Sequence, residues 1–263
     1  MKRQVLDCKI SYNKPIARGI YLLGLKVGKK LGLVPGQFFM VRVQEGNDPL
    51  LGRPLDWFYY DRAKDVLEFV YQVVGRGTAL LSQRKKGEPV GILGPLGRGW
   101  DWKPGNKNVL LVAGGLGIPG LWDFCMDSKK NRSCAMTLLW GAKTRDLFFL
   151  MDKIPKAINF IPATEDGSLG EKGMVTDQLK KMLRSGFRPE YIFACGPQLM
   201  LKALAGIAQE YDIPGQVLYT ERMACGFGAC LGCAAPKAGG GYLHVCTDGP
   251  AFKFEEIDWE RVK

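Results

Sequence analysis

Hydrophobic and polar positions change rhythm along this chain. Through the first part, apolar residues recur in short and often alternating runs at 4–12, 16–26, 37–43, 55–60, 66–73 and 89–93, divided by Gly, Pro and Asn clusters. Six such runs predict strands closing into a small antiparallel barrel. The run Phe38-Phe39-Met40-Val41-Arg42-Val43 is too apolar to be solvated on both faces, so the barrel is expected to cover one rim with a cofactor or with the next domain. A polar, Gly- and Pro-bearing stretch at 100–106 reads as a linker. Beyond it, short apolar runs at 108–113, 135–140, 157–163, 191–195 and 216–219 alternate with helical periodicity at 118–127, 147–152, 175–185 and 199–210. That alternation predicts a doubly wound parallel sheet with helices on its faces. The expected division is 1–102 for the β-barrel, 103–220 for the α/β part and 221–263 for a last segment with neither rhythm.

The last segment carries the sharpest chemistry. Cys225, Cys230, Cys233 and Cys246 are spaced C-x4-C-x2-C-x12-C, and the C-x4-C-x2-C run is the one by which a single loop of a plant-type ferredoxin wraps a 2Fe-2S cluster. Gly226, Gly228, Ala229, Gly232 and Ala234 fill the gaps, leaving the backbone free to bring N–H groups to an anionic centre. A structural zinc site is the competing assignment, although zinc ribbons usually pair their cysteines as two short C-x2-C knuckles. Inert or disulfide-bonded cysteines are the third. Residues 239–246 read as a glycine turn into a hairpin strand that returns Cys246 to the loop. The only histidine, His244, lies on that strand beside a ligand set already complete in cysteine.

Composition narrows the class without naming a substrate. With 46% hydrophobic and 24% charged residues over 263 positions, the chain is an ordinary globular one, long enough for two domains. No apolar run reaches the length of a membrane span, and Met1-Lys2-Arg3-Gln4 does not open a signal peptide, so a cytoplasmic protein without membrane contact is expected. Cys8, Cys125, Cys134 and Cys195 are scattered among apolar residues and read as reduced packing thiols. The net charge of +11 comes from 37 basic against 26 acidic residues. Because the basic residues fall in short groups such as Arg84-Lys85-Lys86 beside expected helix ends, they read as solvated surface and not as a nucleic-acid footprint. Dinucleotide phosphates or an acidic partner subunit are the expected use of the charge.

Several short motifs carry candidate sites. Gly52-Arg53-Pro54-Leu55 places a planar guanidinium on an apolar strand, where it can clamp a pyrophosphate. Gly75-Arg76-Gly77-Thr78 opens a short helical run whose amides can meet an anion. Each also reads as a turn beside a solvated arginine. In the second half, Gly114-Gly115-Leu116-Gly117 follows a strand and opens a helix, the setting that seats a dinucleotide pyrophosphate, and Cys195-Gly196-Pro197 answers it after a later strand. A packed cysteine before a helix start is the plainer reading of the latter.

In this order the motifs resemble the ferredoxin–NADP reductase superfamily. The resemblance implies FAD on the barrel, with Arg53, Pro54, Leu55 and Asp56 on the flavin strand, Val70, Tyr71 and Gln72 on a strand beside it, and Gly77 and Thr78 at the FAD phosphates. It implies NAD(P) at Gly114, Gly115 and Gly117, with Cys195 and Gly196 on the nicotinamide side and Cys195 and Asp56 as the catalytic pair. One position departs from the family, which usually has Ser or Thr near the flavin N5 where this chain has Asp56, followed by Trp57 and Phe58. A carboxyl there either donates a hydrogen bond when protonated or sets negative charge beside the reacting nitrogen.

With the cysteine segment added, above all 221–233 and 245–252, nearly the whole chain resembles electron-transfer subunits of the NAD-dependent (class 1B) dihydroorotate dehydrogenases. The resemblance implies FAD and a 2Fe-2S cluster that carry electrons to NAD from an FMN-containing catalytic subunit oxidising dihydroorotate in pyrimidine biosynthesis, with two of each chain in a heterotetramer. NAD takes a two-electron hydride whereas the cluster passes single electrons, so a flavin must stand between them. Flavin and iron–sulfur subunits of ferredoxin-linked NAD(P) transhydrogenases, hydrogenases or sulfide dehydrogenases are sibling readings. A zinc-stabilised nucleotide-binding regulator is the redox-free one. Lys143-Thr144-Arg145 suits the 2′-phosphate of NADP and the acidic stretch at 164–168 suits a free ribose; the family points to NAD.

Overall fold

Side chains alternate across a strand, and this alternation builds the first half of the molecule. In β1 (Gln4–Ala17), Leu6, Cys8 and Ile10 are buried while their neighbours are not. The chain continues through β2 (Ile20–Lys26), β3 (Phe38–Arg42), β4 (Arg53–Asp61), β5 (Val66–Gln72), the helix α1 (Arg76–Gln83) and β6 (Pro89–Leu96). The six strands close antiparallel in the order β1-β2-β5-β4-β3-β6. The computed structural model describes residues 3–43, 48–101, 105, 107–127 and 134–262. Strand β1 runs through Asn13-Lys14-Pro15, where the sequence suggests a break. Register shifts between Ile10 and Tyr12 and between Pro15 and Ala17 absorb the proline without ending the strand.

The second half contains β7 (Asn108–Gly114), α2 (Trp122–Asp127), β8 (Ala135–Ala142), β9 (Asn159–Thr164), β10 (Glu171–Lys172), α3 (Val175–Arg184), β11 (Tyr191–Cys195), α4 (Gln198–Glu210) and β12 (Gly215–Leu218). A small hairpin of β13 (Ala234–Pro236) and β14 (Tyr242–His244) follows, then β15 (Ala251–Lys253). The large sheet has the order β10-β9-β8-β7-β11-β12-β15, parallel except for β15, which lies antiparallel on β12. Residues 251–253, expected in the segment after 220, therefore supply an edge of the nucleotide sheet. From β7 the chain builds outward through β8 and β9, then returns to the other side of β7 as β11. The carboxyl ends of β7 and β11 form a topological switch point, the place where open α/β sheets receive ligands.

Two expected helices differ. The stretch at 118–127 begins as 3₁₀ turns over Gly115–Leu121 before α2 starts. The run at 147–152 is two 3₁₀ turns, Arg145–Leu147 and Met151–Lys153, with Leu150 left-handed between them. Its apolar residues are consecutive and not one-sided, and Phe148 and Phe149 pack on Trp140 with ring centroids 4.7 and 5.2 Å away. Of the expected linker at 100–106, residues 102–104 and 106 lie outside the described residues.

Barrel and sheet share their cores. In β3, Phe39 and Val41 fill the barrel with Leu23, Leu67 and Phe69, while Phe38 and Met40 join the core under α3 and α4. Trp57 points into the barrel, its indole donating to the Val34 carbonyl at 3.2 Å, whereas Phe58 stacks on Trp122 of the sheet domain at 4.6 Å. Among the described residues no helix is long and apolar enough to cross a membrane. Phe252 of β15 is only 2% exposed and belongs to the core under α3 and α4. Phe252→Ala is expected to lower the unfolding free energy by about 3–5 kcal/mol in urea titration, a loss that a loosely attached tail would not show.

Candidate active site and thiol centre

A cavity of about 670 Å³ opens at the switch point. The turn Gly114-Gly115-Leu116-Gly117 lines it from β7, and Cys195-Gly196-Pro197 faces that turn from β11. The two backbones touch so closely that a Cβ on Gly117 would overlap the Cys195 carbonyl. The Trp140 indole donates to the Gly115 carbonyl at 2.9 Å, which ties the turn to the neighbouring strand. On the β8 and β9 side the cavity reaches Lys143 and Glu165, and on the barrel side it reaches Asp56 and Gln72. Thr220, beyond β12, also lines it, as do the largely exposed Met174 and Leu199. Thr220 and Met174 carry no local motif, whereas Leu199 belongs to the stretch Cys195-Gly196-Pro197-Gln198-Leu199-Met200 that answers the glycine turn.

Alternation sorts the barrel residues. Asp56 and Phe58 of β4 face the sheet domain, whereas Leu55 and Trp57 pack toward the barrel core. On β5, Val70 packs at the junction and Gln72 lines the cavity. Tyr71, 1% exposed, stacks on Tyr21 and donates its hydroxyl to Asn13 Oδ1 at 2.9 Å inside the barrel. The side chains of Leu55 and Tyr71 therefore turn away from the crevice. Arg53 and Gly77 come together across the barrel rim, for a Cβ on Gly77 would fall on the Arg53 guanidinium. Arg53 also donates to the Leu51 carbonyl. Thr78 Oγ1 accepts from the N–H groups of Val74 (3.0 Å) and Gly75 (3.2 Å) and donates to the Gly75 carbonyl. Its hydroxyl shapes the turn, and the first-turn amides of α1 are left without intrahelical partners.

Asp56 and Cys195 meet at the barrel end of the crevice. Measured from the point a Cβ on Gly120 would occupy, Cys195 Sγ is 3.4 Å and Asp56 Oδ2 3.5 Å away. Asp56 is half-buried as a residue, and packed protein around its carboxyl removes enough hydration to push its pKa up to about 6. Burial, reinforced by the Asp56 charge, raises Cys195 well above the usual thiol value, so it stays a neutral S–H.

The C-terminal loop presents four thiols as two neighbouring pairs. Cys233 and Cys246 Sγ are 3.2 Å apart, too far for a disulfide, and the Cys246 amide donates to Cys233 Sγ at 3.4 Å. Burial raises the Cys225 thiol, but N–H groups of Phe227 and Cys230, each 3.5 Å from Sγ, outweigh it and bring Cys225 down to about 6. Cys246 lacks that balance. Burial, with the Cys233 thiol beside it, pushes it up to about 12. The hairpin β13–β14 returns Cys246 to the loop, with the Val245 amide donating to the Cys233 carbonyl at 2.9 Å. His244 is half-buried, 3.8 Å from Asp248 through Nδ1. Among the described residues no three His, Cys, Asp or Glu side chains converge on one point for a single ion. Two thiol pairs bathed in backbone N–H suit a binuclear iron–sulfur centre, which takes two thiolates per iron, better than one tetrahedral zinc.

These values give a direct chemical test. The thiolate is the nucleophile, so in the reduced, metal-free chain at about pH 7 Cys225 is expected to alkylate far faster than Cys8, Cys125, Cys195 or Cys246. Brief iodoacetamide treatment and peptide mass spectrometry check the order, and lowering the pH below about 6 should slow Cys225.

Residues 220–258 match the family model described as the iron–sulfur cluster binding domain of dihydroorotate dehydrogenase B. The electron transfer subunit of dihydroorotate dehydrogenase B (NAD(+)) from Desulforamulus reducens is 40% identical, over 98% of this chain and 99% of that protein. Its counterpart from Fusobacterium nucleatum is 34% identical, over 98% of this chain and 100% of that protein. Among solved structures, one described as an NADH-dependent reduced ferredoxin-NADP oxidoreductase superposes with a TM-score of 0.86 at 29% identity, covering 97% of this chain and 91% of that one. Full-length identity to two curated subunits, and a family model lying over the four thiols, show that the chain belongs to the family of dihydroorotate dehydrogenase B electron transfer subunits.

Proposed function

We propose that this chain carries FAD on its barrel and a 2Fe-2S cluster on its C-terminal loop, and passes electrons from an FMN-containing dihydroorotate dehydrogenase subunit to NAD in pyrimidine biosynthesis. The observation that carries the reading is the meeting, in one chain, of a dinucleotide crevice with a barrel face and of two thiol pairs with the same barrel. The cluster loop is fastened there: Arg3 donates to the Phe227 carbonyl at 2.8 Å, and Cys233 and Cys246 share a core with Phe38, Met40 and Leu96.

The residues present fit each group. Arg53 and the free amides at Gly77 and Thr78 hold a pyrophosphate on the barrel, and Pro54, Asp56 and Gln72, above Val70, face the flavin ring system. Gly114, Gly115 and Gly117 seat the NAD pyrophosphate, with Cys195 and Gly196 at the nicotinamide. The neutral Cys195 thiol places no charge there, which suits a cationic ring that becomes neutral on reduction. Cys225, Cys230, Cys233 and Cys246 ligate the cluster. When bound, the flavin joins two-electron exchange with NAD to one-electron exchange with the cluster. The barrel to 102, the sheet domain to 220 and the cluster segment each hold one group, with 251–253 lending an edge strand back to the sheet.

The partner reading is supported by the surface beside the cluster loop. Leu50 (65% exposed), Leu231 (59%) and Phe227 (39%) leave apolar area in solvent next to Cys225 and Cys230, where a catalytic subunit would cover it. Two of each chain in a heterotetramer, in the cytoplasm where thiols stay reduced, complete the proposal. A ferredoxin-linked partner is the second reading, favoured by the structural likeness at a TM-score of 0.86.

The purified complex, kept anaerobic, should show flavin and iron–sulfur absorption that dihydroorotate bleaches, with NADH formed once NAD is added. Bleaching by NAD(P)H alone would transfer the chain to the second reading. Cys230→Ser is expected to lose the cluster and electron transfer to the partner while FAD and NADH-to-dye activity persist, read from the visible spectrum and a dye assay. Gly117→Ala forces the nucleotide turn off the Cys195 backbone and should slow flavin reduction by NADH by about a hundred-fold in stopped flow, with FAD retained.

A further inference from the structure

We propose that Asp56 is the proton source at the junction of barrel and nucleotide sheet, supplying the one proton that turns two electrons arriving through the cluster into the hydride that NAD accepts. The inference rests on the electron-transfer reading above. An iron–sulfur centre delivers electrons without protons, whereas NAD⁺ takes two electrons and one proton together. The proton has to enter where the hydride is assembled, beside the nicotinamide.

The protic side chains at that end of the crevice are Asp56, Cys195, Gln72 and Thr220. Gln72 and Thr220 do not titrate in the working range, and Cys195 is 3% exposed and held as a neutral thiol. Asp56 is the remaining group. Its surroundings are apolar from the elements packed on it: Phe38 opposite on β3, Val70 on the junction face of β5, Gly120 from the 3₁₀ turn, and Leu218 from β12 beside Gly120. The titratable group facing it is Cys195 of β11, and among the described residues no salt bridge involves Asp56. Desolvation raises the carboxyl to about 6 with no cation to reverse it, and a ring closing the crevice would raise it further. The serine or threonine usual at this position offers a hydrogen bond but holds no proton it can release near neutral pH.

The balance is simple. Two electrons come singly from the cluster, and the O–H bond of the Asp56 carboxyl breaks. The proton and the electron pair leave together as hydride, forming the new C–H bond of NADH. The Asp56 carboxylate then recovers a proton from water. In reverse, NADH brings its proton inside the hydride, so reduction of the flavin from that side makes no demand on Asp56.

The test uses the whole complex and compares the two half-reactions by stopped flow. In the wild type, pigment reduction by dihydroorotate through to NADH falls as pH rises through the carboxyl's pKa. Asp56→Asn, nearly isosteric, removes that limb and slows this direction about a hundred-fold. Flavin reduction by NADH slows far less, so the ratio of the two rates falls about ten-fold or more. Asp56→Ser restores a donor without a titrating proton and loses the limb as well. Difference infrared spectra show a protonated-carboxyl band below about pH 6 in the wild type that Asp56→Asn lacks. Equal losses in both directions, a pH limb that survives Asp56→Asn, or no such band would overturn the assignment. A wild-type complex that holds no flavin, or that dihydroorotate does not reduce, overturns the electron-transfer reading instead.

Discussion

The centre of this molecule depends on how closely the backbone after β7 approaches the backbone after β11. Gly117 lies against the Cys195 carbonyl with no room for a side chain between them. This contact fixes the glycine turn under the crevice, places Cys195 beside the barrel, and lets Asp56 reach the same point from the opposite side. A bulkier residue would push the two strand ends apart and open the crevice to water, weakening every electrostatic effect within it.

Burial acts on the thiols and the carboxyl of this chain with opposite results, and the difference lies in backbone N–H groups. Cys195 and Cys246 are desolvated and have neighbours that disfavour the anion, which raises both thiols. Cys225 is also penalised by burial, but its loop turns the amides of Phe227 and Cys230 toward its sulfur and stabilises the thiolate. Among the described residues neither amides nor a cation offset the burial of the Asp56 carboxyl, and it moves upward. One chain thereby raises Asp56 and Cys195 at the crevice and lowers Cys225 in the ligand loop.

Mechanical continuity between the two ends comes from strands used on both faces. Strand β3 sends alternate residues into the barrel and into the core beneath α3 and α4, and the latter core also takes Cys233 and Cys246. The cluster loop is consequently packed into the same body as the nucleotide sheet, and β15 closes the edge of that sheet after the loop. Fixed spacing between redox groups requires such a body, because a loop on a tether would let the distance vary.

The sequence alone determined the barrel, the parallel sheet and the thiol loop, since alternation, helical periodicity and cysteine spacing are local and each follows from a few neighbouring residues. The glycine turns at Gly77 and Gly117 were legible for the same reason. Side-chain direction was decided by the tertiary structure. Leu55 and Tyr71 share strands with Asp56 and Gln72, and only the closure of the barrel turns the first two inward and the last two toward the crevice. The run at 147–152 became a cap on Trp140 because the sheet offered an aromatic face that outweighed helical propensity. Thr220 entered the crevice, and Asp56 met Cys195, only once residues far apart in the chain were brought to one point. Desolvation depends on everything packed around a group, so the proton affinity of Asp56 belongs to the fold and is not written in any stretch of sequence.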